Sequence, residues 1–352
     1  MVESYTPSEA SLFKRIRIKC KDAARSWLQW FDSEPLPAQA AKDPHEIDWL
    51  RVIPFVLMHV GCLAIFWVGY SGVAIGMAIF LYLIRMFAIT GFYHRYFSHR
   101  TFKTTRVLQF IFAVIGAASI QRGPLWWAAH HRNHHAHSDT PKDTHSPRHQ
   151  GFLKSHMLWF LTHEHFRTRH NLIKDWQRFP ELMFLDRFDT LVPLLLGTFL
   201  YWVGATVEHY RPDLGTNGPQ MLTWGFFVST VVLYHATFSV NSIAHIWGTR
   251  RYDTSDDSRN NLLMAILTLG EGWHNNHHHY PGSVRQGFFW WEIDPTYWAL
   301  KIMSYAHLVW DLRPVPLKWR DGKIPVAKTP HNEEQSRIPS IMFKEGGDAH
   351  AP

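Results

Sequence analysis

The chain has 352 residues, only two cysteines and a formal net charge of +7 at pH 7. Two thiols, Cys20 and Cys62, exclude a disulfide framework and a cysteine-rich metal site. The mean hydropathy of -0.19 is that of a soluble protein, but it averages long polar segments with four apolar runs, and this uneven distribution decides the class.

Residues 1–51 precede the first apolar run. They show no secretory signal, because a charged region comes before the run that begins at Val52. Residues 13–27 mix basic and apolar side chains, a composition that fits either a helix on an anionic membrane surface or a solvated basic helix. The sequence leaves these two alternatives open.

Four apolar runs carry at most one Lys, Arg, Asp or Glu each, at residues 52–70, 73–93, 191–207 and 221–240. A helix rises about 1.5 Å per residue and the hydrocarbon core of a bilayer is about 30 Å thick, so each run is long enough, or nearly so, to cross it. We therefore predict four transmembrane helices in two hairpins, residues 52–93 and 189–243.

The positive charges predict the orientation of these hairpins. Of the 36 Lys and Arg residues, only Arg85 and Arg211 fall within residues 52–93 and 189–245. By the positive-inside rule both hairpin connections face outward, and the termini and residues 94–188 and 244–325 are cytoplasmic. Residues 107–120 are apolar but too short to cross, so we interpret them as an interfacial or re-entrant helix. Residues 326–352 are polar and are predicted to form a disordered tail.

Four histidine boxes follow or flank the apolar runs. Their sequences are HRYFSH with His94 and His99, HRNHH with His131, His134 and His135, NSIAH with Asn241 and His245, and HNNHH with His274, His277 and His278. On a helix, histidines at i, i+3 and i+4 share one face. A lone histidine is usually a satisfied core or surface residue, and a histidine tract can be low-complexity sequence. Scattered boxes with fixed internal spacing fit neither alternative, so we predict a metal centre built from distant segments.

The number and type of ligands indicate which metal this centre holds. Imidazole suits zinc, copper, iron and nickel, and a structural zinc site needs only four ligands. Nine imidazoles are too many for one metal ion and about right for two. Two redox metals at a membrane surface suggest oxygen activation, with iron favoured. His130, His137 and His279 adjoin the boxes and leave their register ambiguous.

With these four boxes in this order, residues 50–312 resemble the stearoyl-CoA 9-desaturase-like (acyl-CoA desaturase) branch of membrane fatty-acid desaturases. The resemblance implies an all-α membrane protein, with four transmembrane helices in two hairpins capped by a cytoplasmic helical domain that carries a di-iron centre. It implies nine iron ligands: His94, His99, His131, His134, His135, His245, His274, His277 and His278. Asn241 resembles the residue that holds an iron-bound water through its amide.

The resemblance also implies a reaction, in which O2 and two electrons convert a saturated acyl chain into one with a cis double bond, at the delta-9 position. Side-chain acid–base chemistry cannot do this, because methylenes offer no acidic proton and no leaving group. Gln121, Trp127 and Thr237 match positions that line the bend of the acyl tunnel. Ala74 and Ala78 are expected near its closed end, between spans one and two. Ordinary packing is the alternative at each of these positions.

The acyl carrier stays open between long-chain acyl-CoA, which we expect first, and acyl-lipid. Ala129 and His130 stand where vertebrate relatives have an Arg-Asp pair that helps to hold coenzyme A. The basic charge suits phosphates of either carrier, or an acidic electron donor. We find no fused cytochrome b5 motif, so electrons are expected from a separate protein of the ferredoxin or cytochrome b5 type with its reductase. No nucleic-acid partner is expected.

Two rival classes remain. A membrane di-iron hydroxylase would use a similar centre, and the NSIAH box close to HNNHH favours the desaturase. A metal transporter would place ligands within the spans, where His59 and His235 are the candidates, and we interpret both as packing or hydrogen-bonding residues. We expect a multi-pass protein of a bacterial inner (plasma) membrane, surrounded by membrane lipids, with its active site cytoplasmic.

Overall fold

The structure is a computed structural model that describes Leu28, residues 30–33, Asp43 and residues 45–322, with only the backbone of Leu50. Two predictions lie outside the described residues: the basic segment 13–27, which includes Cys20, and the disordered tail 326–352. The described residues are mostly helical, with one two-stranded sheet.

Four helical segments are long and apolar enough to cross a membrane. They are Arg51–Val68, Gly72–Ser98, Leu191–Tyr210 and Gly218–His245, and are called spans 1 to 4 below. Each overlaps one of the four apolar runs, so the prediction of an all-α membrane protein with four spans is confirmed. Half of the most apolar window of span 4 and 39% of that of span 2 are buried, against 11% for span 1 and 22% for span 3. Spans 2 and 4 are therefore the inner pair.

Three of the spans change helix type along their length. Span 1 consists of α-helix Trp49–Gly61, 3-10 helix Cys62–Ala64 and α-helix Ile65–Val68. Span 2 is α-helix Gly72–Phe87 followed by π-helix Ala88–Ser98. Span 3 is one α-helix, Leu191–Tyr210. Span 4 consists of α-helix Gly218–Met221, π-helix Leu222–Val228, α-helix Ser229–Ser242 and 3-10 helix Ile243–His245.

The two hairpin connections are hydrogen-bonded to each other. The Thr216 hydroxyl donates to Ser71 Oγ at 2.8 Å, and Gln220 Nε2 donates to the Val68 carbonyl at 2.9 Å. The Ser71 side chain also caps span 2 by accepting from the Ala74 amide. Both connections therefore lie on the same side of the protein, as the charge pattern requires.

Arg85, the one charged residue in the second apolar run, is 1% exposed and joins span 2 to span 4. Its guanidinium donates to Thr230 Oγ1 at 2.7 Å, to Ser229 Oγ at 2.5 Å and to the Ala118 carbonyl at 3.0 Å. A buried cation is costly unless its donors are satisfied. These hydroxyls and the carbonyl satisfy it and fix the inner pair of spans side by side.

The polar segments fold together over one end of the spans as a helical cap. Strand Lys103–Thr104 pairs antiparallel with strand Val309–Trp310, which ties the middle segment to the C-terminal one. The α-helices of the cap are Arg106–Ala117, Pro124–His137, Pro147–Gln150, Pro180–Arg187, Leu262–Leu267, His274–His279, Pro295–Tyr305 and Leu317–Arg320. Its other helical turns are Lys154–Leu158, Trp159–Leu161 and His170–Leu172. The turn Pro212–Leu214 lies in the second hairpin connection. The 12-residue helix Arg106–Ala117 overlaps the apolar segment 107–120 and packs Phe112 against Phe92 at 3.9 Å between ring centroids.

Candidate metal centre

The central histidine box lies on helix Pro124–His137, called the central box helix. Its start is well defined, because Pro124 occupies the first turn and the Asp186 carboxylate accepts from the otherwise unpaired Trp126 amide at 2.7 Å. The indole of Trp126 donates to the His165 carbonyl at 2.8 Å and fixes the opposite side of the helix. Helical spacing then directs the three box histidines toward one face.

The first box gains its geometry from the π-helix Ala88–Ser98. The His99 amide donates to the His94 carbonyl at 3.2 Å, which is the i→i+5 hydrogen bond of a π-helix. Residues five apart would diverge on an α-helix, but here the two imidazole centroids lie 4.9 Å apart. The change from α to π geometry therefore brings both histidines of HRYFSH to one site.

The C-terminal box lies on the short helix His274–His279, called the C-terminal box helix. The asparagines inside HNNHH anchor it to the cap. Asn275 Oδ1 accepts from the Arg251 and Tyr252 amides, each at 2.8 Å. Asn276 Nδ2 donates to Glu292 at 2.9 Å. These bonds hold the histidines of this box toward the interior.

The nine box histidines form two groups whose ring nitrogens lie within 4.8 Å of one another. The five-histidine group is His94, His99, His131, His135 and His277, and the four-histidine group is His134, His245, His274 and His278. Each HxxHH helix divides its histidines between the two groups: the i and i+4 imidazoles join one group and the i+3 imidazole joins the other. The division is opposite on the two box helices, so each helix contributes histidines to both groups.

The nitrogen separations fit metal ligation. Nε2 atoms lie 3.0 Å apart between His94 and His277, and 3.0 Å apart between His245 and His274. Nitrogens bound at about 2.1 Å, at right angles around one metal ion, would lie about 3.0 Å apart. The buried His278 Nε2 has no hydrogen-bond partner. The donor set therefore fits two nitrogen-ligated metal ions.

Four carboxylates contact Nδ1 atoms of imidazoles in the two histidine groups. Nδ1 of His134 lies 3.1 Å from Asp143, that of His245 lies 2.8 Å from Asp139 and that of His278 lies 2.6 Å from Asp256. The fourth pair is His94 Nδ1 with Glu271. A carboxylate at Nδ1 fixes the tautomer that presents Nε2 to a metal, and such partners typically contribute 10 to 100-fold in metal affinity.

The charges of these groups follow from burial and from each other. Burial alone would raise the pKa of Asp139, but its hydrogen bond to His245 and the charge of that ring reverse this, so its pKa is lowered. His278 lowers the pKa of Asp256 in the same way. Burial and then neighbouring imidazoles lower the pKa values of His131 and His274 well below 6.5. The carboxylates are therefore ionised and these imidazoles neutral at pH 7, the form that binds metal.

An apolar cavity of about 540 Å³ leads from both histidine groups into the spans. Imidazoles of the two groups line one end: His94, His131, His134 and His274. Gln121, Trp127 and Thr237 line its wall beside these rings, with Gln121 Nε2 donating to Thr237 Oγ1 at 2.7 Å. The Trp127 ring stacks on His131 at 5.0 Å between centroids. Such a cavity suits a long apolar chain placed beside a metal centre.

Comparison with known proteins identifies the family. The family model for fatty acid desaturases matches residues 66–311, which is more than half of the chain. The chain belongs to the fatty acid desaturase family. The match covers all four boxes, three complete spans and both strands of the cap.

Curated relatives of this desaturase act on more than one carrier. It is 36% identical over 265 residues to the sn-2 palmitoyl-lipid 9-desaturase of Nostoc sp. (strain 36), covering 74% of this chain and 88% of that protein. It is 34% identical to the sn-1 stearoyl-lipid 9-desaturase of Anabaena variabilis, covering 76% and 94% of the two chains. It is 35% identical to an acyl-CoA 5-desaturase of Anemone leveillei, covering 73% and 76%.

The structure places the other residues named from the sequence. Asn241 lines the cavity beside the histidine groups. Ala74 and Ala78 are buried on span 2 but are not among the residues that line the cavity, so their tunnel role stays a prediction. Within the spans, His59 Nε2 lies 3.2 Å from His235 Nε2, a hydrogen bond between the first and fourth spans.

The structure also shows that the three histidines adjoining the boxes lie outside the two histidine groups. His130 donates to the Arg167 carbonyl at 3.1 Å, and His279 donates to the Trp319 carbonyl at 3.1 Å. His137 lies at the end of the central box helix. None of these three histidines belongs to any metal-compatible group found among the described residues.

Sequence reasoning missed the four carboxylates of the centre. Asp139 is separated from His245 by 106 residues and Asp256 from His278 by 22. Only the pair of His134 and Asp143, nine residues apart, is near enough in the chain to leave a local signal. The clue available was that Asp139 and Asp143 follow the central box within eight residues and that Glu271 precedes the C-terminal box by three.

Proposed function

We propose that the protein is an O2-dependent fatty-acyl desaturase that introduces a cis double bond, at delta-9, into a long saturated acyl chain in unsaturated fatty-acid biosynthesis. The observation that carries this proposal is the meeting of nine imidazoles, in two metal-compatible groups, with one end of an apolar cavity. Family membership supports the oxidoreductase class.

We further propose that the nine histidines hold two Fe2+ ions, five in one site and four in the other. Asn241 is proposed to orient a water at the four-histidine site, because it lies one helical turn before His245 and lines the cavity. Bound iron supplies the activation of O2 that breaking unactivated C–H bonds requires. The balanced reaction joins one saturated chain, O2, two electrons and two protons to give the alkene and two waters.

The protein's own part in this reaction is placement. The apolar lining binds the chain, and Trp127, with the Gln121–Thr237 pair, forms the wall where the chain passes the histidines. A hydrogen-bonded pair is more rigid than two separate side chains, which favours one bent chain position. Fixing one pair of carbons is the condition for a single product.

The carrier is acyl-CoA or a membrane acyl-lipid. The sequence resemblance favours acyl-CoA, but one observation favours the lipid. Leu57 of span 1 and Leu194 of span 3 line the cavity and are each 52% exposed on spans that face lipid. A chain attached to a membrane lipid could enter sideways between these spans without leaving the bilayer. A hydroxylase has no comparable observation in its favour.

The proposed setting is a bacterial inner membrane with the cap, active site and termini in the cytoplasm. The near absence of Lys and Arg from the hairpins and their connections supports this orientation. The described Lys and Arg side chains on the cap suit an acidic electron donor of the ferredoxin or cytochrome b5 type.

Expression in a host that lacks its own desaturase tests the proposal. Mass spectrometry of the host lipids should show a new monounsaturated chain with its double bond at C9, and none with the His274→Ala variant. A hydroxylated chain, or no new product from protein that holds iron, would contradict it. Purified protein supplied separately with stearoyl-CoA and with stearoyl phospholipid vesicles, plus ferredoxin and its reductase, then identifies the carrier.

A further inference from the structure

The carboxylates behind the ligand imidazoles are divided unequally between the two histidine groups. Three of the four imidazoles in the four-histidine group contact one: His134 with Asp143, His245 with Asp139 and His278 with Asp256. Within the described residues, the five-histidine group has only the pair of His94 and Glu271. The asymmetry is therefore three to one.

The surroundings of these carboxylates increase the difference in charge. Glu271 also pairs with the buried Arg95 at 3.3 Å, so a cation offsets much of its charge. Asp139 is instead held by neutral donors, the Ser146 hydroxyl at 2.5 Å and the Asp257 amide at 2.8 Å. Asp256 likewise accepts from the amide and the hydroxyl of Ser258.

The backbone at Asp139 is shaped for this contact. Asp139 follows the central box helix with φ of +53°, the left-handed region that Asp and Asn tolerate better than most residues. The carboxylate is 4% exposed and reaches His245 at the end of span 4. A strained turn thus fixes an anion behind a proposed ligand of the four-histidine site.

A carboxylate at Nδ1 makes an imidazole a stronger donor and adds negative charge near the metal. Both effects favour binding of a metal ion, and both favour its more positively charged oxidation state. We propose that Asp139, Asp143 and Asp256 make the metal ion of the four-histidine site more tightly bound and more readily oxidised than the metal ion of the five-histidine site. This inference rests on the proposed function, which supplies the two irons.

Asp139→Asn is the most informative variant. The asparagine oxygen can still accept from His245 and from the Asp257 amide, while its NH2 group faces Ser146, whose hydroxyl can switch from donor to acceptor. Asparagine also tolerates the left-handed backbone. The substitution therefore removes the charge and keeps the geometry. At Asp143 and Asp256 an NH2 group would oppose a backbone amide, at His145 and Ser258 respectively.

Two measurements on purified holoenzyme loaded with 57Fe test the inference. Release of iron to a chelator should show a slow and a fast phase in the wild type. In Asp139→Asn the slow phase should accelerate roughly 10 to 100-fold, with the fast phase unchanged. Mössbauer spectra during stepwise oxidation should show one ferrous doublet disappearing first in the wild type, and a smaller interval between the two in Asp139→Asn, where Asp143 and Asp256 remain.

Glu271→Gln is the contrasting variant, because it acts only on the five-histidine group; it should accelerate the fast phase and widen the gap between the two doublets. Asp256→Ala provides a second variant of the four-histidine site if Asp139→Asn does not fold, because it removes the charge behind His278 without placing an NH2 group against the Ser258 amide. Two equivalent irons in the wild type, or an unchanged slow phase in a folded variant, would overturn the inference alone. Protein that never holds two irons would overturn both it and the proposed function.

Discussion

Gln121 donates a hydrogen bond of 2.7 Å to Thr237, joining residues 116 apart in the chain across the wall of the cavity. Gln121 follows the apolar helix of the cap, and Thr237 lies on span 4, four residues before Asn241. The pair therefore joins the cap to span 4 at the place where the acyl chain is proposed to bend.

Breaking this pair should lower the precision of the double-bond position. Thr237→Val keeps the side-chain shape but removes the acceptor, and an unpaired polar group in an apolar site costs about 1–3 kcal/mol. We expect a mixture of double-bond positions and lower turnover, with iron content unchanged. Mass spectrometry of derivatised products measures the mixture. Thr223→Val, at a buried threonine of the same span outside the cavity lining, is the matched control and should keep a single product.

Asn241→Ala should reduce activity about 10 to 100-fold while both irons are retained, because the amide is proposed to act through a water and not as a direct ligand. Activity with a fixed acyl substrate, together with iron content of the same preparation, measures both effects. Loss of one iron from Asn241→Ala would mean that the amide binds the metal directly.

The length of the cavity predicts chain-length preference. On span 2 its lining runs from His94 to Met86, and on span 4 it runs from Asn241 down to Phe226. Phe226→Trp should therefore shift preference from C18 toward C14 and C16 chains, with the double-bond position unchanged, because Phe226 is the lining residue of span 4 farthest along the helix from the histidines. Parallel assays with the three chain lengths measure the shift.

The variant Ala78→Tyr tests whether the tunnel reaches Ala78, as the sequence predicts, or ends where the described cavity ends. Ala78 lies eight residues, or about 12 Å, beyond Met86 along the helix. A changed ratio of chain lengths in this variant would show that the tunnel continues past its described end. An equal loss for all lengths would assign Ala74 and Ala78 to helix packing.

Asp189 predicts a pH dependence of stability. Burial raises its pKa from 3.8 to about 6, against the opposing charge of Arg122, whose Nη1 lies 2.5 Å away. Because the folded protein holds this proton more tightly than the unfolded chain, the contribution of Asp189 is most favourable below about pH 4 and is lost as pH rises to about 6. The shift corresponds to about 3 kcal/mol.

The matching variant is Asp189→Asn, which imitates the protonated acid at every pH. The difference in melting temperature between variant and wild type, measured in detergent, should move in the variant's favour between pH 4 and pH 6. A difference that stays constant across this range would show that Asp189 titrates normally. Asp253→Asn, at an exposed carboxylate of the cap, is the control.

The spans and the histidines that cluster could be predicted from local sequence because their signals are local. A run of about 20 apolar residues has to cross a membrane or be buried, and an HxxHH box on a helix has to present three imidazoles together. How these imidazoles divide between two sites could not be predicted, because His131 and His277 meet only through the packing of helices far apart in the chain.

The remaining features depend on geometry that sequence patterns do not encode. The π-helix that unites His94 and His99 continues an α-helix without any break in the apolar run. Asp139 reaches His245 through a left-handed turn. Ala74 and Ala78 are small residues on span 2, as a tunnel end would need, but small residues also permit close helix packing. Size alone could not distinguish a tunnel residue from a packing residue.

The iron content of purified protein tests the central claim most directly. We predict two irons per chain in the wild type. His131→Ala in the five-histidine group and His274→Ala in the four-histidine group should each lower this number and abolish desaturation, whereas His163→Ala and His209→Ala, outside both groups, should leave it at two with most activity. One iron, another metal in its place, or full activity in His131→Ala or His274→Ala would contradict the account.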